Sequence, residues 1–367
     1  DAYHALTTDF HPGEYKVDYL RLTDGATNEI SLNALDINQV GFSSTVRVYF
    51  PEPDGSSGGT QVKGSAQADF VFGTNRSDDI LYGNEGNDYL FSGDGNDFVD
   101  GGDGDDLIVG GSGAGDDIYM GGKGVDTVSY TSALTGIAVD LSKGTALGLE
   151  IGSDRVSQIE NLIGGQSADL LIGDGLANTI NGFTGNDTID GGAGIDTSIF
   201  SSSRSSYTVT IGSTTTVQDS RTTAQSDGND SLKNIERLKF SDFSVATDLD
   251  GHAGEAAKLL GAIYGAASLT NKQLVGTALS LLDGGMSYEE LATTAIRMTG
   301  LTNTEIVSLL WISLFRLTPT SNHISGIVSM LDAGASVGAL TVLVAESSIN
   351  ADHINLVGLS QTGIEFL

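Results

Sequence analysis

The sequence predicts a multidomain β + α protein, and three observations carry that prediction. A glycine- and aspartate-rich nonapeptide recurs in register through the middle of the chain, Thr- and Val-rich alternating runs flank it, and near Asp248 the apolar residues switch to a helical period. With 367 residues the chain is long enough to bury more than one core. The expected division is a small β-domain with its linker at 1–59, a repeat body at 60–247 and an all-α domain at 248–367.

The N-terminal segment has strand-like runs at Tyr15 to Leu22 and Thr45 to Phe50, with turn signals at Asp24-Gly25 and Pro51 to Gly55. Gly55 to Thr60 reads as a linker. The first array then runs GSAQADFVF from Gly64, GTNRSDDIL from Gly73, Tyr82 as an insertion, and GNEGNDYLF, SGDGNDFVD and GGDGDDLIV from Gly83. After Gly110 and Gly111 it resumes with SGAGDDIYM and GGKGVDTVS. A second array reads GGQSADLLI, GDGLANTIN, GFTGNDTID and GGAGIDTSI from Gly164. The arrays cover 64–129 and 164–199. Position six is Asp88, Asp97, Asp106, Asp117 and Asp126 in the strong first run, and position eight is Leu90, Val99, Ile108, Tyr119 and Val128. Between and after the arrays, Ile137, Val139, Leu141 and the run Tyr207 to Val217 alternate as strands, extending the same body.

From Asp248 the spacing of Ala256, Leu259, Leu260 and Ile263, then Leu274, Ala278, Leu281 and Leu282, predicts about seven short helices. SLLDGGMS from Ser280 recurs as SMLDAGAS from Ser329, each a helix end, a glycine break and a serine that caps the next helix.

Charge narrows the partners. Seventeen Lys and Arg face 48 Asp and Glu, a formal −31, so phosphate backbones and anionic bilayers are repelled and cations attracted. The absence of cysteine excludes thiolate zinc sites, thiol catalysis and disulfides. The apolar run from Ile306 to Phe315 is about half the ~20 residues of a membrane span, so no membrane insertion is expected. No Sec-type signal is visible after Asp1.

The nonapeptide is expected to bind metal. Glycines at positions one, two and four allow positive φ and inward-turned carbonyls, position six adds a carboxylate, position eight points into a narrow core, and seven to nine form a strand. An all-oxygen donor set matches Ca²⁺ better than Zn²⁺ or Mg²⁺.

These repeats resemble the RTX (hemolysin-type) family of calcium-binding, type I secreted bacterial proteins, whose motif is GGxGxDxUx. The resemblance implies a parallel β-roll, a form of β-helix with two nonapeptides per coil, holding several Ca²⁺ ions, about six to eight. Carried over by position, the ligands are Asp88, Asp97, Asp106, Asp117, Asp126, Asp169, Asp187 and Asp196, with Asp69, Asp78 and Asp79 from the weaker copies. Gly83, Gly86, Gly101, Gly104, Gly121, Gly124, Gly164, Gly182 and Gly191 complete the set through their loops. Asn178 replaces the aspartate in one repeat, which is expected to bind weakly or not at all. The helical region resembles a domain of unknown function that follows RTX repeats in secreted and surface-layer proteins, through DLDGHAGEAAKLLGAIYG, the two Gly breaks and INLVGLSQTGIEF. It departs from that domain after Pro319, where Thr320 stands in place of Asp, so a packing or assembly role is expected. The C-terminal Glu365-Phe366-Leu367 fits an uncleaved type I secretion signal.

Catalysis finds no motif. His4, His11, His252, His323 and His353 are scattered and read as surface or capping residues. The Gly55-Ser56-Ser57-Gly58-Gly59 match to a nucleophile elbow lies in a linker. Asp248-Leu249-Asp250-Gly251 opens like an EF-hand loop, but Leu259 stands at position twelve, leaving at most one peripheral calcium contact. Two readings follow: an extracellular calcium-binding structural protein of the bacterial cell surface that self-associates, with residues 1–54 available to grip surface polysaccharide; or a C-terminal folding and export module of a larger RTX exoenzyme, toxin or adhesin.

Overall fold

The computed structural model describes residues 19–23, 29–33, 47–49, 59, 61–74, 77–110, 113, 115–223 and 225–367. They fall into two compact units, one ending at Asp196 and taking in Arg221–Asn234, the other comprising Thr197–Ser220 and Ile235–Leu367. The expected turn at Asp24-Gly25 and the Pro51 to Gly55 signal lie outside the described residues.

In the first unit, Tyr19–Thr23 and Glu29–Asn33 pair as an antiparallel hairpin. Successive repeats then send their strands alternately to two parallel sheets. One sheet stacks Arg47–Tyr49, Asp69–Phe72, Tyr89–Phe91, Leu107–Val109, Thr127–Ser129, Asn161–Ile163 and Thr179–Asn181. Arg47–Tyr49, read from sequence as part of an N-terminal β-domain, is thus the opening strand of this stack. The other sheet stacks Gln61–Lys63, Ile80–Glu85, Phe98–Asp103, Ile118–Lys123 and Gly152–Ser157. It continues through the antiparallel pair Thr145–Gly148 and Ile137–Asp140 to parallel Leu170–Ile172, Thr188–Asp190 and Asn229–Lys233. This is a β-roll.

Because position eight pairs with position eight one coil on, as Leu90 with Ile108 and Leu81 with Val99, the core is a double file of single side chains. Val71, Leu90, Ile108 and Val128 face inward from one sheet and Leu81, Val99, Tyr119 and Leu171 from the other, all fully buried. The register also relocates the insertion read at Tyr82. Tyr82 pairs with Asp100 as an ordinary ninth position, so the extra residue of that repeat lies ahead of Asp79, within residues 74–78.

In the second unit, Arg237–Lys239 pairs in parallel with Thr197–Ile199 and antiparallel with Ser244–Ala246, which in turn pairs with Ile364–Phe366. The proposed secretion signal is thus a paired strand, and the Leu367 N–H donates to the Lys272 carbonyl. A second hairpin joins Tyr207–Thr210 to Thr215–Asp219. Eight α-helices follow among the described residues: α1 His252–Tyr264, α2 Lys272–Asp283, α3 Tyr288–Met298, α4 Asn303–Phe315, α5 Ser321–Asp332, α6 Val337–Ala345, α7 Ser348–His353 and α8 Leu356–Thr362. The duplicated SLLDGGMS and SMLDAGAS segments end α2 and α5 at Gly285 and Gly334, both at positive φ, and Ser287 and Ser336 cap α3 and α6. Helix α1 is the hub: Ala253, Ala256, Leu259, Leu260 and Ile263 are buried, and its small residues let neighbours close in, as where Ile354 packs over Gly261.

Arg237 ties the strands of this unit to its helices. It is buried, donates through Nε and Nη2 to both oxygens of Asp283 at 3.1 and 2.7 Å, and reaches Asp248 Oδ1 at 2.5 Å. Asp283 also meets His252 Nδ1 at 2.8 Å. Asp248 accepts from the Ala253 N–H at the start of α1, so the EF-hand-like segment serves Arg237 and a helix N-terminus. Replacing Arg237 by Met strands two carboxylates; the expected loss is about 3–5 kcal/mol of stability in the second unit, read as a lowered thermal midpoint of the helical signal.

Candidate calcium site

Each repeat loop delivers its carboxylate to the neighbouring coil. The backbone N–H of Asp69 donates to Asp88 Oδ1, that of Asp88 to Asp106 and that of Asp106 to Asp126, each at 2.8 Å. On the other side of the roll, Asp79 donates to Asp97 and Asp97 to Asp117, both at 2.7 Å. In the second array Asp169 donates to Asp187 at 2.9 Å and Asn178 to Asp196 at 2.7 Å. The carboxylates therefore form rungs, and each rung's acceptor belongs to the coil that follows.

One oxygen per rung is spent in this way, and the fate of the other marks the site. Oδ2 of Asp88, Asp97, Asp106, Asp126 and Asp187 is buried without a hydrogen-bond partner. Among the described residues no three Asp, Glu or His side chains converge on one point, so an ion held here would draw its further oxygens from backbone carbonyls. Oxygen-only donors, buried charge with no cation beside it and loops that bring carbonyls close are the chemistry that suits Ca²⁺.

Glycine plays two roles. Positions two and four carry the positive φ, at Gly102 and Gly104, Gly122 and Gly124, Gly192 and Gly194, and at Gly86, with non-glycine Asn84 and Phe183 also left-handed at position two. Position one does not have positive φ, contrary to the expectation from sequence. Gly83, Gly101, Gly121, Gly164, Gly182 and Gly191 are instead required by close approach, because a Cβ there would collide with Oδ2 of the same repeat's aspartate.

The structure places the sequence-predicted residues unevenly. Asp79, fully buried, occupies the rung of its repeat, with Thr74 N–H on its Oδ2, whereas Asp78 is exposed. Asp78 Oδ1 accepts from Asn96 N–H at 2.8 Å, in a second, outer ladder that runs through position five. There Asn87 accepts from Asp105, Asn96 from Asp116 and Asp105 from Val125. The Asn or Asp at position five of these repeats was the available signal for it. Asp117 Oδ2 accepts from the Tyr119 hydroxyl at 2.7 Å and Asp169 Oδ2 from Gly165 N–H at 2.6 Å. Asn178 spends its oxygen on Asp174 N–H and its amide on the Glu160 carbonyl, a fully paired and uncharged rung. Asp154 and Asp230, not selected from sequence, accept from Asp117 and Asp187. Among the histidines, His323 caps α5 through Thr320 N–H and stacks on Trp311 at 4.9 Å, while His4 and His11 lie outside the described residues.

The calcium-binding nonapeptide repeat of the RTX family matches the chain in four copies, at residues 54–90, 82–114, 112–128 and 163–197. The two arrays are RTX calcium-binding repeats. Among solved structures, the AlgE6R3 subunit of the Azotobacter vinelandii mannuronan C5-epimerase is similar at 19% identity, over 50% of this chain and 76% of that one, with a TM-score of 0.16. The extracellular lipase LipA of Serratia marcescens is similar at 16% identity, over 46% of this chain and 38% of the lipase, with a TM-score of 0.15. No curated protein matches. RTX repeats of this kind bind Ca²⁺ at several sites, and no helix among the described residues is long and apolar enough to cross a membrane.

Without metal, burial holds the rung carboxylates toward their neutral form. Asp88 and Asp187 are pushed up to about 8, Asp97, Asp106 and Asp154 to about 7 and Asp126 to about 6, with neighbouring carboxylates adding to the effect. These values lie above the ~3.9 of an unfolded aspartate, so the metal-free fold binds more protons than the unfolded chain. Its stability is therefore greatest below about pH 4 and falls as the pH rises through the folded values toward 8. In chelator, circular dichroism should show more strand near pH 4 than at pH 8, and a flat or inverted profile would contradict this assignment. Gly101→Ala should raise the calcium midpoint for folding by about tenfold, as overpacking of about 1–3 kcal/mol implies. Gly175→Ala, with nothing within 4 Å of its Cβ position, should leave it unchanged.

Proposed function

We propose that this chain is an extracellular structural protein of the bacterial surface, exported by type I secretion, whose roll orders on meeting external calcium and which then associates with its own kind in a layer, sheet or filament. The observation that carries the reading is the row of buried, unpartnered Oδ2 atoms at Asp88, Asp97, Asp106, Asp126 and Asp187. Bound Ca²⁺ supplies positive charge and a demand for six to eight oxygens at these loops. The residues do the rest. Asp88, Asp106 and Asp126 hold successive coils together through their Oδ1 atoms, and position-one glycines keep Oδ2 against the loop backbone. With the carboxylates ionised and unneutralised, their repulsion exceeds what a core of one apolar side chain per repeat returns, so the arrays stay extended at submicromolar calcium. Self-association is supported by exposed apolar residues on the helical unit, among them Phe315, Leu317, Met330 and Leu343.

Two measurements on the full chain test this. Circular dichroism should show strand signal at millimolar calcium and its loss in chelator at neutral pH; native strand content in chelator would end the trigger reading. Electron microscopy at millimolar calcium should show ordered lattices or fibres, and persistent monomers would favour the folding and export module instead.

A further inference from the structure

The break between the arrays contains a rung that no repeat accounts for. Glu160 lies outside all four matched spans, yet its Oε2 accepts from the Asp126 N–H at 2.8 Å, the bond that Asp126 itself offers to Asp106. The backbone keeps register as well: Asn161–Ile163 pairs in parallel with Thr127–Ser129, so Glu160 stands where a sixth-position aspartate would. On the opposite side of the roll Asp154 does the same for Asp117, at 3.0 Å.

The two sides end differently. At the Asp117–Asp154 step both second oxygens are taken by phenols, Tyr119 on Asp117 at 2.7 Å and Tyr130 on Asp154 at 3.0 Å. At the Asp126–Glu160 step Asp126 is fully buried and its Oδ2 has no partner. That oxygen and the Gln158 carbonyl crowd the same point beside Gly121, where neither leaves room for a Cβ. A cleft of about 270 Å³, lined in part by Gly122, Gln158, Glu160 and Asp174, opens next to them. One rung further on, the uncharged Asn178 donates to the Glu160 carbonyl and interrupts the run of charge before Asp196.

We propose that Asp126 and Glu160, with the Gln158 carbonyl, form a divalent-cation site that closes one side of the first array, and that the tyrosine-capped Asp117–Asp154 step holds no ion. Two carboxylates and a carbonyl are hard oxygen donors, the class that Ca²⁺ selects. A glutamate reaches across the array break where the chain has left the nonapeptide frame. The sequence around it recurs: Asp154-Arg-Val-Ser-Gln158-Ile-Glu160-Asn-Leu162 returns as Asp230-Ser-Leu-Lys-Asn234-Ile-Glu236-Arg-Leu238 after the second array. Gln158 and Asn234 both adopt positive φ, and Asp230 accepts from the Asp187 N–H at 2.9 Å. The Asp154 and Asp230 rungs are therefore followed by the same kind of turn, at Gln158 and Asn234.

The inference rests on the calcium reading, and the test separates the two. Bound ions are counted on the full chain by native mass spectrometry at saturating calcium, with strand content checked by circular dichroism. Glu160→Gln keeps an oxygen for the Asp126 N–H, and is expected to lose one ion while retaining the folded spectrum. Asp154→Asn is expected to keep the wild-type count. A Glu160→Gln protein with the full count, or an Asp154→Asn protein short of one ion, overturns the proposal; a wild-type chain that binds no calcium overturns the calcium reading itself. Should Glu160→Gln fail to fold, Glu160→Asp decides, since it keeps the charge and shortens the reach. One site should then weaken by about tenfold with the others unchanged, and a titration that superposes on wild type overturns the assignment.

Discussion

Between Asp88 and Asp106, and again between Asp106 and Asp126, carboxylates lie buried in a row with no basic side chain interposed. Buried like charges repel far more strongly than solvated ones, and desolvation adds a cost of its own. The rest of the roll follows from that condition. Short strands, tight loops and a core of two files of single side chains can persist only where protons or a cation relieve the row, which is why the same aspartates that organise the fold also make it conditional.

The glycines answer to the same constraint. At position one the limiting factor is space, because Oδ2 and the carbonyl of the adjacent coil lean on the α-carbon, as at Gly101. At positions two and four it is backbone conformation, as at Gly102 and Gly104. A repeat that writes Gly-Gly-x-Gly therefore encodes two physical demands in one residue type. In the helical unit the serine caps of α3 and α6 and the Arg237 ion pairs are made within the unit itself.

Much of this was legible in the chain. The nonapeptide period located the coils, position eight named the core through Leu90, Val99 and Ile108, and the doubled Leu-Asp-x-Gly breaks placed the ends of α2 and α5. What stayed hidden depended on neighbours that the period does not reveal. Asp78 and Asp79 are adjacent acids, and only the register of Ile80–Glu85 against Phe98–Asp103 decides which turns inward. Glu160 carries the wrong residue type and sits outside the motif, so its place appears only once Asn161–Ile163 is seen beside Thr127–Ser129. Tyr119 reads as an apolar eighth residue, although its hydroxyl settles the second oxygen of Asp117.

The ladder also has a direction. Each aspartate accepts from the amide of the coil before it, so removing the Asp106 carboxylate orphans the amide of Asp88 while the amide of Asp106 keeps its bond to Asp126. Damage is therefore felt upstream and not downstream. At Asp69, whose strand follows Arg47–Tyr49 in the stack, Oδ1 is buried and accepts no hydrogen bond. The ladder is thus polar: a coil that precedes a rung must bring an amide, and one that follows must bring a carboxylate.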